Sequence, residues 1–192
     1  MQKRLFWVGI VLIGALALSA AVWSAVVKPT LHGAVIQPPS QAAEIRLQDF
    51  NGQSFSLNSL RGKVVLLYFG YTNCPDECPL TMAHLKLAKD RLGADAQDVR
   101  VIMVTTDPKR DTAQTLKDWL GKFNSSFIGL LGTQDQLAQT WKDYGVTVED
   151  GGATHSYFLY VIDRAGNFRE TFLPDSQPGD IAADLKMLLA EK

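Results

Sequence analysis

The chain has 192 residues, 46% of them hydrophobic and 20% charged, with a formal net charge of -1. That is enough for one well-buried domain and short for two. The balanced charge and the lack of a basic stripe interleaved with aromatics exclude a nucleic-acid partner, and two cysteines exclude a zinc ribbon, which needs a second Cys or His pair.

Leu5 to Val27 is a 23-residue run without a charge, preceded by Lys3 and Arg4 and followed by Lys28. That length spans a bilayer. A cleaved signal peptide is the competing reading, with Ala15 to Ala17 or Ser19 to Ala21 as its small-residue site, but the apolar run continues past both. Residues 1–28 are therefore read as a single-pass N-terminal transmembrane helix. The basic pair predicts a cytoplasmic N-end and an exported domain. No cysteine lies near the run to carry a lipid, and no Arg- and Ser-rich amphipathic presequence precedes it, which points to a bacterial plasma membrane and a periplasmic domain. In that setting neighbouring thiols tend toward disulfide unless a reductant acts on them.

Residues 29–43, with Pro38-Pro39-Ser40, show neither helical nor strand periodicity and are expected to be a tether. His32 within them is assigned no role. The globular domain then covers 44–192. Asn51-Gly52 between two short apolar segments predicts a hairpin over Glu44 to Leu57. Val64 to Phe69 and Val99 to Thr105 are almost continuously apolar, as strands buried on both faces are. Between them Leu85, Ala88 and Leu92 mark one helix face, so strand, helix and strand imply a parallel crossover. Pro79, lacking an N–H, predicts that this helix begins there, with 74–78 as a looped lead-in.

Asp111 with Gln114 resembles a capping pair ahead of Leu116, Trp119, Leu120 and Phe123. Phe127 to Leu131 reads as a short strand, and Thr133 to Tyr144 as a helix with Leu137 and Trp141 facing the core. A glycine-rich loop, Glu149 to Thr154, leads to His155. Ser156 to Asp163 and Phe168 to Phe172 form a hairpin about Ala165-Gly166-Asn167, and Ile181, Leu185, Leu188 and Leu189 stripe a final helix. The fold class is α/β, a thioredoxin-like mixed sheet flanked by helices with thiols after its first parallel strand.

Both cysteines, Cys74 and Cys78, fall at that strand-to-helix junction, near the positive end of the helix dipole. Asp76 and Glu77 between them add negative potential, which suits a metal cation better than a pure thiol oxidant. From the pair alone a small structural disulfide, two inert thiols, a redox couple and a metal site all stay open. The spacing is not that of Cys-x-x-Cys, and Tyr71 stands where a peroxiredoxin has Thr.

The segment Gly70-Tyr71-Thr72-Asn73-Cys74-Pro75-Asp76-Glu77-Cys78-Pro79 resembles the signature of the Sco/SenC family, membrane-anchored, thioredoxin-fold copper chaperones of cytochrome c oxidase assembly. Two further matches follow in order: Thr106-Asp107-Pro108-Lys109-Arg110-Asp111-Thr112, similar to the family's Asp-Pro-x-Arg-Asp-Thr, and His155-Ser156. The resemblance implies that Cys74, Cys78 and His155 hold one copper ion per domain, as Cu(I) or Cu(II). Two thiolates and an imidazole suit such a soft ion. Zinc wants a fourth ligand, which Asp107 could supply. His84, six residues past Cys78, lies about 240° around the helix and points elsewhere. Thr154 stands where family members often have an acidic residue that would orient the imidazole, which bears on affinity.

Asp107 and Arg110 have a plain reading, the turn that opens a helix. The resemblance adds a second, in which they and Asp76 tune the thiol site or contact a partner. The implied function is a copper metallochaperone that delivers copper to the copper-bearing subunit of cytochrome c oxidase. The alternative is a thiol-disulfide oxidoreductase in which Cys74 and Cys78, as a redox pair, reduce the cysteines of that copper site. Another copper chaperone or a thiol reductant would complete the partner set.

Overall fold

Runs at Val64 and Val99 pair as neighbouring parallel strands at the middle of a mixed sheet, with the thiols at their C-terminal end. The computed structural model describes residues 30–149 and 154–191, with the backbone alone at 154 and 155. The expected membrane helix and the Gly151-Gly152 loop lie outside these residues. Among the described residues no helix is long and apolar enough to cross a membrane.

The strands are β1 (Ala34–Gln41), β2 (Arg46–Asp49), β3 (Ser54–Ser56), β4 (Val64–Gly70), β5 (Val99–Thr105), β6 (Ile128–Leu131), β7 (Val148–Glu149), β8 (Thr154–His155), β9 (Leu159–Ile162) and β10 (Asn167–Phe172). The helices are α1 (Glu77–Asp90), α2 (Ala113–Gly121), α3 (Gln134–Asp143) and α4 (Pro178–Ala190). Eight strands form one sheet in the order β1-β10-β9-β4-β5-β6-β2-β3, while β7 and β8 make a separate ribbon. β4, β5 and β6 run parallel, and the other pairings are antiparallel.

Every residue of β4 is buried, and its pleat sends alternate side chains to two cores. Val64, Leu66 and Tyr68 meet Met82 and Leu85 of α1, Leu116 and Leu120 of α2 and Leu185 of α4. Val65, Leu67 and Phe69 meet Leu137 and Trp141 of α3 and Tyr160 of β9 on the other face. At about 1.5–3 kcal/mol for each large apolar side chain buried, these two layers hold the domain together. Trp141 also donates its indole N–H to the Thr105 carbonyl at 3.2 Å, which makes it a core residue, as expected. The Asn51-Gly52 hairpin forms between β2 and β3, with Gly52 at φ +77°.

Five expectations need correction. Residues 29–43 are not all tether, because Ala34–Gln41 adds an edge strand to β10. Most of β1 is exposed and it carries Pro38 and Pro39, so no alternation marks it; an edge strand needs only one row of hydrogen bonds and tolerates proline. His32 just before it is not merely solvated: its Nδ1 lies 2.5 Å from Asp184 Oδ1 on α4, and its amide donates to Asp184 Oδ2 at 2.6 Å. The Gly33 amide donates to Glu170 Oε2 at 3.0 Å.

α1 starts at Glu77, two residues before Pro79, because proline is tolerated through the whole first turn, where amides lack intrahelical partners. α2 is capped by Thr112 with Thr115 rather than by Asp111 with Gln114. Finally, His155 does not open the strand that ends near Asp163. It lies in the β7–β8 ribbon opposite Val148, and β9 begins only at Leu159.

Candidate metal and thiol site

The site is built where β4 ends. Gly70 closes the strand, and a Cβ there would lie 2.6 Å from Tyr68 Cε1 and 3.0 Å from Cys78 Sγ. Only glycine lets the turn approach this closely. The chain then bends, with the Cys74 amide donating to the Tyr71 carbonyl at 3.4 Å, and enters α1 at Glu77.

Asp76 occupies the N-cap position, but its side chain makes no capping bond. The Cys74 sulfur supplies one, accepting the Cys78 amide at 3.4 Å. This contact brings the two cysteines together across the start of α1, both in the thiol form. Cys74 is half-buried and Cys78 is fully buried.

Three phenols surround the pair. The Tyr68 hydroxyl donates to Cys78 Sγ at 3.6 Å from beneath. Tyr71 is 6% exposed and hydrogen-bonds the Cys74 sulfur. Tyr157, two residues beyond His155, interacts electrostatically with Cys74, Cys78 and Glu77. Burial pushes the Cys78 thiol up to about 12, helped by Cys74 beside it and opposed by hydrogen bonds from the Tyr71 backbone and the Tyr68 hydroxyl. Burial likewise raises Tyr71 to about 12. A thiol held protonated this firmly gives up its proton only to a strongly bound cation or to disulfide formation.

The Asp107–Asp111 loop braces the turn. The Thr106 amide donates to the Gly70 carbonyl at 2.9 Å. Asp107 is 1% exposed and accepts from Arg110 Nε; the Arg110 guanidinium lies 5.8 Å from the Tyr71 ring centre. Arg110 thus meets the site through Tyr71, while the Asp107 amide donates to the Thr105 hydroxyl at 3.0 Å.

Asp111, which does not cap α2 as expected, serves the cysteine turn instead. Its carboxyl group, 3% exposed, accepts the Thr72 hydroxyl at 2.6 Å, the Thr72 amide at 3.2 Å and the Thr105 hydroxyl at 2.6 Å. It ties the cysteine turn to the end of β5. Sequence reasoning missed this tie, along with Tyr68 and Tyr157, and the Asp-Thr step at 111–112 was the available signal that the cap could be Thr112.

Among the described residues no group of three His, Cys, Asp or Glu side chains could hold a metal ion; the His155 imidazole lies outside them. The backbone beyond it is tied down, with the Ser156 amide donating to the Thr147 carbonyl at 3.2 Å. Next to it, Glu77, Ser156, Tyr157, Phe158, Leu173, Pro174 and Asp175 line a groove of about 500 Å³, so the segment following His155 faces the first turn of α1. His84 is half-buried along α1, and His32 belongs to the Asp184 contact.

Residues 35–190 match the sequence model of one family, SCO1/SenC. The chain belongs to the SCO1/SenC family. A SCO2-like protein of Rickettsia felis is 34% identical over 152 residues, covering 74% of each chain. The structure of Bradyrhizobium japonicum ScoI with copper bound is similar at a TM-score of 0.72 and 34% identity, covering 78% of this chain and all of that one. Yeast Sco1 with copper bound is similar at a TM-score of 0.70 and 29% identity, covering 80% and 91%. The thioredoxin-like mixed sheet is thus the architecture of this SCO1/SenC member as well as of its relatives.

Proposed function

We propose that this SCO1/SenC protein binds one copper ion through Cys74, Cys78 and His155 and delivers it to the copper centre of cytochrome c oxidase during assembly. The observation that carries the reading is the pairing of two thiols across the start of α1, Cys74 in the turn before it and Cys78 in its first turn, with the Cys78 amide 3.4 Å from the Cys74 sulfur. Two soft donors at one helix end suit Cu(I), which accepts three ligands, better than a hard cation. Support for the third ligand is indirect: Tyr157, two residues on, interacts with both cysteines. Support for copper comes from the related ScoI and Sco1 structures that hold it. The uncharged run Leu5 to Val27 anchors the domain in a bacterial plasma membrane, on its periplasmic side, where another copper chaperone supplies the ion and a reductant keeps the thiols open.

A second reading rests on the same contact. Two thiols this close can form a disulfide, so the protein can act as a thiol-disulfide oxidoreductase on the cysteines of the oxidase copper site. Copper titration of the full chain in detergent, reduced against oxidised, separates the two. Metal delivery predicts one copper per reduced chain, none per oxidised chain, and binding weakened about tenfold or more by His155→Ala, a change of about 1.4 kcal/mol. Wild-type affinity in His155→Ala together with full disulfide exchange leaves only the oxidoreductase reading.

A further inference from the structure

Beneath the cysteine turn a phenol meets a sulfur where neither is exposed. Tyr68 and Cys78 are both 0% exposed, and the hydroxyl donates to the sulfur at 3.6 Å. Phenylalanine at this position would fill the same core volume without burying a hydroxyl, a group that costs about 1–3 kcal/mol to bury unless it is hydrogen-bonded. The Tyr68 ring is packed between Gly70 and the core under α1, where the buried Thr81 hydroxyl is the other polar group beside its oxygen. Cys74 is held differently, by the Cys78 amide and the Tyr71 phenol at the half-exposed rim.

We propose that Tyr68 is a positioning residue that acts through the Cys78 sulfur. Its hydrogen bond draws charge from that sulfur, favouring Cu(I) over Cu(II) in the loaded site and the dithiol over the disulfide in the empty one. The copper half of this inference rests on the function proposed above; the disulfide half does not. A hydrogen bond to a thiolate weakens its donation to a metal, and hydrogen bonding at metal-bound sulfur raises the metal's reduction potential. A disulfide sulfur accepts hydrogen bonds less well than a thiol or thiolate, so the same bond stabilises the reduced pair.

The test uses the full chain in detergent as wild type, Tyr68→Phe and Tyr160→Phe. Tyr160 is the control: a buried phenol on the opposite face whose hydroxyl donates to the Tyr144 carbonyl at 2.9 Å. Metal-free protein is equilibrated with glutathione. The two cysteine thiols pass two electrons and two protons to glutathione disulfide, one protein S–S bond forms, and two glutathione thiols are released. Tyr68→Phe is expected to move this equilibrium toward the protein disulfide about tenfold, or 29.6 mV for a two-electron couple.

In copper-loaded protein, Tyr68→Phe raises the ratio of Cu(II) to Cu(I) affinity about tenfold, or 59 mV for one electron. It also moves the sulfur-to-copper charge-transfer band to lower energy. Tyr160→Phe moves none of these, even where it lowers stability. Site-specific 3-fluorotyrosine at position 68, a stronger donor of the same shape, moves every readout the opposite way and serves if Tyr68→Phe does not fold. An unchanged glutathione equilibrium in these position-68 variants overturns the inference. A wild-type chain that binds no copper overturns only the copper reading, and the glutathione measurement still decides this one.

Discussion

Asp111→Ala tests whether the carboxyl group buried behind the cysteine turn is a tie or a cap. The substitution removes the acceptor for the Thr72 hydroxyl and amide and for the Thr105 hydroxyl, bonds of 2.6, 3.2 and 2.6 Å. Each bond contributes about 1 kcal/mol net, so the loss is about 3 kcal/mol. For a domain of this size each kcal/mol moves the melting temperature by about 2–4 °C, and the expected fall is about 6–12 °C. Circular dichroism melts of metal-free protein read it directly. Thr72 lies two residues before Cys74, so copper affinity should also fall, by about tenfold.

Asp111→Asn keeps one acceptor oxygen and should lose about half as much stability. The comparison that decides the matter is Thr112→Ala. It removes the observed cap of α2 at about 1 kcal/mol and should leave copper affinity unchanged. Equal effects of Asp111→Ala and Thr112→Ala on both melting and copper binding, or a melt for Asp111→Ala within about 2 °C of wild type, would refute the reasoning.

Gly70→Ala should destabilise the domain by about 1–3 kcal/mol and weaken copper binding, because its Cβ would lie 2.6 Å from Tyr68 and 3.0 Å from the Cys78 sulfur; chemical denaturation and copper titration check the two effects. Copper at about 100 times its dissociation constant should stabilise wild-type protein by about 2.7 kcal/mol, and a chelator should reverse the gain in a thermal melt. At the other end of the sheet, burial next to Asp184 raises the Glu170 carboxyl to about 8, and the Asp184 contact raises His32 above its ordinary value. Both groups bind protons more tightly folded than unfolded, so stability is fullest below about pH 4.5 on their account. It declines as pH rises through about 8, where the Glu170 carboxyl loses its proton in the folded state. Urea midpoints measured from pH 5 to 9 should show that decline, and Glu170→Gln should flatten it.

Much of the domain was legible in the chain because its signals are local. Continuous apolar runs at Val64 and Val99 can satisfy their hydrogen bonds and burial only as central strands. Asn51-Gly52 permits the positive φ that its hairpin turn requires, and two cysteines beside prolines after a buried strand mark a strand-to-helix junction. The spacing of Leu116, Leu120, Leu137 and Trp141 placed the helices to within a turn or two. Each of these signals arises within a single period of strand or helix.

What the tertiary structure alone decided are the meetings of residues far apart in sequence. His32 finds Asp184 across 152 positions, and that contact holds β1 on the sheet although its exposed, proline-bearing sequence lacks strand alternation. Asp111 turns inward because Thr72 and Thr105 offer donors there, which no capping pattern can encode. Tyr68 lies under Cys78 because the pleat of β4 and the first turn of α1 converge over Gly70. Local periodicity reports which face a side chain takes; the partner it meets on that face is set by how the sheet and helices pack.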